Sequence, residues 1–430
     1  MKITIHRGIS QIGGCITEIE SSSGARLLID FGHNLPEGEE HSVDKYDTPE
    51  ELSALLSGVT DIYYTHYHGD HIGFEAQVHA LGIKQHMGEL SIKMERVLKK
   101  HMCGAPSLKE RASQSLEAIN AFVPYKAGQT EHVGDIAITP YFVSHSAVDA
   151  HMFLIQCDGM SVLHTGDFRD HGYQGKGLLK NIDFNIVPKH VDVLITEGTM
   201  LSRDSIKMKT EWDLQEEFKK VFSKYKYCFV LSSSMDADRF TTLYQATKKV
   251  NPERPLVVDS YQQRLIKLVG KTMGSIYAKT SSYDFYMKKK ANLLRLMHWK
   301  GFTMMVRNSE TMRRNIDELM SLIGPDHLNQ VAFVYSQFSG YINDKHKAFN
   351  QATYDFVHAY DWHIEEIHTS GHASREALTA VCEHVNPSTA IIPIHREAGS
   401  DFCSLPISDE LKSKVLTESK LINGLEIIIL

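Results

Sequence analysis

Thr65-His66-Tyr67-His68-Gly69-Asp70-His71 follows the apolar run Ile62-Tyr63-Tyr64 and puts three imidazoles and a carboxylate within six consecutive residues. Imidazole and carboxylate are the donors that zinc and related divalent ions take. Alternation along an extended stretch sends His66 and His68 to one side. A helix starting near Gly69 then turns Asp70 and His71 toward a second position. Two donor pairs diverging from one short loop suit two ions held roughly 3.5 to 4 Å apart. The competing reading, a histidine-rich surface turn, leaves the spacing directly after a strand pattern unexplained.

A chain of 430 residues exceeds one compact core, so two or three domains are expected. The opening Met1-Lys2-Ile3-Thr4-Ile5 reads as a strand, and no apolar run approaches ~20 residues, so a soluble, cytoplasmic protein with no membrane partner is expected. Cys15, Cys103, Cys157, Cys228, Cys382 and Cys403 are scattered without a Cys-x-x-Cys pair and read as reduced thiols. The 24 histidines are more than ordinary usage, and many follow strand patterns. The net charge of -7 is uneven: residues 207 to 314 hold 22 Lys+Arg against 10 Asp+Glu, net +12, and the rest of the chain holds 24 against 43. A basic segment in an acidic chain points to a polyanionic partner, although a solvated lysine-rich face accounts for the charge about as well.

Short strand patterns at Lys2 to His6, Ile12 to Glu20, Arg26 to Phe31, Asp61 to Thr65, Asp135 to Phe142, His151 to Cys157, Ser161 to Thr165 and Val191 to Thr196 define a strand-rich α/β region. A helical stretch from Ile92 to Ala121, broken at Pro106, interrupts it. From Thr210 the pattern becomes alternating helix and strand, with strands at Tyr227 to Leu231 and Val331 to Tyr335, as in a parallel α/β unit. After Ile364 come a strand, a helix near Arg375 to His384 and the strand Ala390 to Ile394. No Pro-, Gly- or Ser-rich linker separates these parts, so the second unit reads as inserted. The expected division is 1–203, 204–366 and 367–430.

Three further donors stand at strand ends: His145 in Phe142-Val143-Ser144-His145, Asp167 in Thr165-Gly166-Asp167, and His395 after Ile391-Ile392-Pro393-Ile394. Singly each is weak, since Thr-Gly-Asp is a common turn. Together they complete two shells: His66, His68 and His145 for one ion, Asp70, His71 and His395 for the other, with Asp167 able to bridge.

This order of motifs resembles the metallo-β-lactamase fold. Asp30 in Leu27-Leu28-Ile29-Asp30-Phe31-Gly32 matches the first motif, His66 to His71 the second, His145 the third and Asp167 the fourth. The resemblance makes Asp30 a hydrogen-bonding support for the loop that carries the histidines. Three later residues narrow it to the β-CASP nucleases, most closely ribonuclease J-like enzymes. Glu197 in Val193-Leu194-Ile195-Thr196-Glu197 looks like motif A, His372 in His368-Thr369-Ser370-Gly371-His372 looks like motif B, and His395 looks like motif C. Arg396 and Glu397 follow His395 where that group generally has Gly-Glu. The implied fold is a four-layer αββα metallo-β-lactamase sandwich with an inserted β-CASP α/β domain.

The resemblance implies a metal-dependent ribonuclease, a phosphodiester hydrolase acting as 5′ exonuclease, endonuclease or both through a two-metal hydroxide mechanism. Two divalent ions are expected, zinc first with manganese as the alternative, and single-stranded RNA as the partner. Asp70, His372 and Glu197 are expected to be catalytic, with His372 protonating the leaving oxygen and Glu197 holding it. His368, Ser370 and His372 would contact phosphate, aided by a helix N-terminus. A DNA nuclease of the same superfamily and a catalytically silent scaffold in an RNA-processing complex are the alternatives, and the residues leave the oligomeric state open.

Overall fold

The computed structural model describes residues 1–35, 46, 48–203, 208–286 and 290–430. The expected junction between residues 203 and 204 borders 204–207, which lie outside the described residues. The chain divides into two compact units, residues 1–207 with 371–430, and residues 208–370.

Among the described residues, the first unit contains two sheets. One is eight-stranded, in the order Lys420–Ile422, Leu425–Ile429, Lys2–Arg7, Ile16–Glu20, Arg26–Ile29, Asp61–Tyr63, Lys84–Gly88, Val123–Tyr125. The other is six-stranded, in the order Ala390–Ile394, Val193–Glu197, Met160–His164, Ala150–Cys157, Ile136–Val143, Glu131–Val133. Alternate residues on a strand face opposite ways, and the burial follows that period. Ile3, Ile5, Leu27 and Ile29 of the first sheet meet Phe153, Ile155, Val162 and Ile195 of the second in one core. The intervening Leu154, Leu163 and Leu194 point outward, against Leu178, Ile182, Leu378 and Val381 of the helices Leu178–Asn185 and Arg375–Val385. On the far side of the first sheet, Glu75–Ala80 and Glu89–Met102 pack against Lys84–Gly88. The layers are therefore helix, sheet, sheet, helix.

One local expectation is met and two are not, each for a physical reason. The helical stretch is two helices, Glu89–Met102 and Lys109–Ala121, packed on each other with Pro106 in the connection, where its missing N–H costs no helical bond. The strand expected from Ile12 begins only at Ile16, because Gly13 and Gly14 take φ of 77° and 62°. The strand expected to reach Phe31 stops at Ile29, because Asp30 adopts φ 60°, a left-handed conformation that turns its carboxylate out of the sheet.

The second unit is a parallel sheet in the order Tyr283–Asp284, Leu256–Val258, Phe302–Val306, Tyr227–Leu231, Val331–Tyr335, His363–Glu366. Its central strands are buried along their whole length, which is why they read as continuous apolar runs. Thr210 and Asp213 form a capping box at the start of Glu211–Lys224, and Asp259 and Gln262 do the same for Ser260–Met273. Inside lies a buried ion pair: Arg239 Nη2 is 3.1 Å from Glu211 Oε1, with side chains 2% and 0% exposed. Thr242 Oγ1 donates to Glu211 Oε2 at 2.6 Å, and Arg239 also donates to Ser336 Oγ. Arg239→Met keeps the length but leaves Glu211 buried and uncompensated, so the second unit should lose about 3–5 kcal/mol in urea unfolding. Adding Glu211→Leu should recover much of that loss, because both ends are then apolar.

Among the described residues no helix is long and apolar enough to cross a membrane. The six cysteines are all free.

Candidate metal centre

The strands Met160–His164, Val193–Glu197 and Ala390–Ile394 run parallel, so the residues after them emerge at one edge of the sheet. Ile136–Val143 runs in the same direction, being antiparallel to a strand that is itself antiparallel to Met160–His164. Four strand ends thus deliver His145, Asp167, Glu197 and His395 to one edge. From the other sheet, the chain leaves Asp61–Tyr63, bends at Thr65 and His66 where an extended stretch was expected, and reaches the short helix Gly69–Ile72 through His68 in extended backbone, after which Asp70 and His71 turn away. Two glycines permit the approach. A Cβ on Gly32 would lie 2.0 Å from the Asp70 carbonyl oxygen, and Gly166, at φ +56°, would put one 2.8 Å from the Thr65 side chain.

The donors converge in two main sets. His66, His68 and His145 each offer a nitrogen within 4.8 Å of the others, as do donor atoms of Asp70, His71 and His395. His66 Nε2 lies 3.0 Å from His68 Nδ1, which lies 3.2 Å from His145 Nε2. Asp167 Oδ2 stands between the sets, 3.2 Å from His71 Nε2, 3.4 Å from His395 Nε2 and 4.0 Å from His66 Nε2. Asp167 and His395 also group with His372.

Partners on the far side of three rings, those of His66, His71 and His145, leave the converging nitrogen to ligate. His71 Nδ1 donates to Asp30 Oδ2 at 2.8 Å, and His145 Nδ1 donates to the Gly371 carbonyl at 2.7 Å. Asp30 also accepts from the Thr65 N–H at 2.7 Å and from Thr65 Oγ1 at 2.8 Å. Because the Thr65 proton is committed to Asp30, His66 Nδ1, 3.0 Å from Thr65 Oγ1, is the donor there. Such outer contacts fix ring orientation and tautomer at metal sites.

The electrostatics describe a set of groups short of a cation. Burial, then the neighbouring imidazoles, push the His66 pKa well below its ordinary value, and burial brings His68 down to about 4. Burial and His68 lower His145 as well. For Asp167, burial favours the neutral acid, but His395, His71 and His372 outweigh it and hold the carboxyl well below the usual range. His71 goes the other way: burial opposes its charge, but Asp167, Asp30 and Asp70 raise it well above the ordinary value. The same three carboxylates that raise His71 leave negative charge around it that a bound cation would offset. Asp167 Oδ2 and His71 Nε2 are buried without a hydrogen-bond partner, their mutual contact being misaligned for one. Buried polar atoms are rarely left so. The residues fit a divalent metal.

Glu197 joins three segments. Its Oε1 accepts from the Phe168 N–H at 2.9 Å and the Ala373 N–H at 3.2 Å, and its Oε2 accepts from His372 Nδ1 at 3.0 Å. Burial works against a charged His372, but Glu197 and then Asp167 raise its pKa above the ordinary value. Its side chain is 21% exposed, against 1% for Glu197. Of the three expected phosphate contacts, His372 belongs to the first unit, and His368 and Ser370 belong to the second. Thr199 escaped the sequence reading: its hydroxyl lies 2.7 Å from His395 Nδ1 and 3.2 Å from His372 Nδ1, and only its place two residues after Glu197 hinted at it.

The pattern of the metallo-beta-lactamase superfamily matches residues 16–207, and that of a Zn-dependent metallo-hydrolase RNA specificity domain matches residues 362–400. The chain is 29% identical over 181 residues to a Helicobacter pylori protein named Ribonuclease J, covering 40% of this chain and 24% of that protein. It is 26% identical over 170 residues to the Ribonuclease J of Mycobacterium tuberculosis, covering 39% of this chain and 28% of that one. The match thus spans about a quarter of the length of these relatives. A crystal structure of a protein of unknown function from Enterococcus faecalis V583 shares the fold, with TM-score 0.65 and 19% identity over 92% of this chain and 93% of that one. Residues 16–207 thus carry a metallo-β-lactamase superfamily domain, with which the fold and the donor set agree. Beyond that domain, residues 362–400 and the partial matches make the chain similar to β-CASP proteins of the ribonuclease J kind.

Proposed function

We propose that the protein is a metal-dependent phosphodiesterase that hydrolyses single-stranded RNA. The observation that carries the reading is the Glu197–His372 pair, a raised-pKa imidazole held at 3.0 Å by a carboxylate beside the converging metal donors. That pair has a proton to give next to a group able to hold cations, as cleavage of a phosphodiester with a poor leaving group requires. His66, His68 and His145 would hold one ion, Asp70, His71 and His395 the other, with Asp167 shared and zinc or manganese as the metal. Bound there, such ions supply a water of pKa near ~7 and neutralise charge building on phosphorus. Asp70 keeps its carboxylate ionised: burial opposes this, but His71 and His395 prevail. His372 would donate its proton to the leaving oxygen while Glu197 keeps the ring oriented, and His368 and Ser370 would bind phosphate. Residues 1–203 and 367–430 would form the catalytic domain.

Residues 204–366 would bind the strand. Their part of the chain carries the net +12 between residues 207 and 314. Trp299 is 74% exposed, and Lys300 Nζ lies 4.0 Å from its ring centroid. An exposed aromatic beside lysine suits base stacking along a charged backbone.

The test pairs metal content with matched RNA and DNA oligonucleotides bearing 5′ monophosphate, triphosphate or hydroxyl ends. The expected result is up to two transition-metal ions per chain and RNA cleavage, with product lengths reporting exo- or endonucleolytic mode. A folded preparation that takes up neither zinc nor manganese would end the reading. Preference for DNA would support the repair-type alternative, and metal without cleavage of either would support the silent scaffold.

A further inference from the structure

Thr199 is 2% exposed, and its Oγ1 touches three groups: His395 Nδ1 at 2.7 Å, the His395 carbonyl oxygen at 3.0 Å and His372 Nδ1 at 3.2 Å. A hydroxyl has one proton to give, and a carbonyl can only accept. With the proton on the carbonyl contact, His395 Nδ1 must be the donor to Oγ1. Its Nε2, 3.2 Å from Asp70 Oδ2 and 3.4 Å from Asp167 Oδ2, then carries the lone pair that a metal needs. The proton count extends to His372, whose Nδ1 faces Glu197 Oε2 and a hydroxyl whose proton is already committed. That nitrogen therefore carries hydrogen as well. Thr65 sets His66 in the same way, with its proton on Asp30 and its oxygen accepting from the ring. The backbone gives a second, independent reason: His395 sits at φ 50°, a left-handed conformation that a non-glycine residue keeps only where its surroundings hold it. The Thr199 hydroxyl holds the carbonyl of that strained residue.

We propose that Thr199 is a positioning residue: one buried hydroxyl sets the tautomer of the metal ligand His395, restrains its backbone and keeps Nδ1 of His372 protonated. The inference rests on the reading of His395 as a ligand. The test compares the unaltered chain with Thr199→Val, which matches the shape but lacks the hydroxyl, and Thr199→Ser, which retains it. Zinc affinity is read by competition with a chromophoric chelator, and histidine tautomers by ¹⁵N NMR of the zinc-loaded protein. Thr199→Val should bind the His395-dependent zinc about 10–100-fold more weakly, the range for loss of an outer-sphere partner. Thr199→Ser should stay close to the unaltered chain, and zinc-loaded His395 should be protonated at Nδ1. Unchanged affinity in Thr199→Val, or a zinc-loaded His395 protonated at Nε2, would overturn the inference. The NMR measurement needs no variant and decides the question even if Thr199→Val does not fold. An unaltered chain that binds no zinc would instead overturn the metal assignment itself.

Discussion

Asp167→Asn is expected to empty both metal positions at once and to lower turnover by at least about 10⁴-fold, out of the 10⁶ or more that hydrolytic enzymes supply. Its Oδ2 reaches His66 of one donor set and both His71 and His395 of the other. An amide keeps the shape but presents no anion to either cation. It also leaves the raised-pKa His71 facing a neutral group, so the metal-free variant should release the His71 proton at lower pH than the unaltered chain does. Asp70→Asn offers the contrast. Asp70 belongs only to the set with His71 and His395, so elemental analysis should show one ion kept and one lost. Full metal content in Asp167→Asn would remove its bridging role, and equal losses in the two variants would remove the distinction between positions.

His372→Ala is expected to keep its metal and fold while turnover falls by about two to four orders of magnitude, with RNA affinity nearly unchanged. The structure makes this a sharp question, because His372 Nδ1 lies 3.6 Å from Asp167 Oδ2 as well as 3.0 Å from Glu197 Oε2. A ligand and a proton donor could both stand there. A proton donor is dispensable when the leaving group needs no proton, so an activated aryl phosphodiester should recover much of the rate in His372→Ala. His395→Ala should lose metal and show no such recovery. The pH profile gives a further sign: burial opposes the charge on His372, but Glu197 and Asp167 raise its pKa. The acid form is therefore present at low pH, and the rate falls as pH rises through the raised value. His372→Ala should lack that alkaline limb. Metal depletion in the variant, or no recovery with the activated ester, would reassign the acid, with His368 the next candidate.

The convergence of the candidate donors was legible because their chemistry is local. His66, His68, Asp70 and His71 lie on one loop, and the distant donors each end an apolar run that announces a strand. The central strands of the second unit were legible for the same reason, since burial on both faces leaves uninterrupted apolar runs. Lys84–Gly88 and Val123–Tyr125 were not, because Lys-Gln-His-Met-Gly and Val-Pro-Tyr carry no period, and only pairing with a neighbour makes them strands. Nor did the chain announce the C-terminal strand Leu425–Ile429 as the parallel partner of Lys2–Arg7, a pairing across almost its full length.

By itself the sequence determined which residue types can hold a cation and in what order they follow their strands. Tertiary structure alone decided how they are held. Asp30 reaches His71 because the chain turns left-handed at that residue, and the Thr199 hydroxyl meets both the ring and the carbonyl of His395, 196 residues away. Hydrogen-bond direction depends on three-dimensional proximity and on how many protons a group owns, and linear spacing encodes neither.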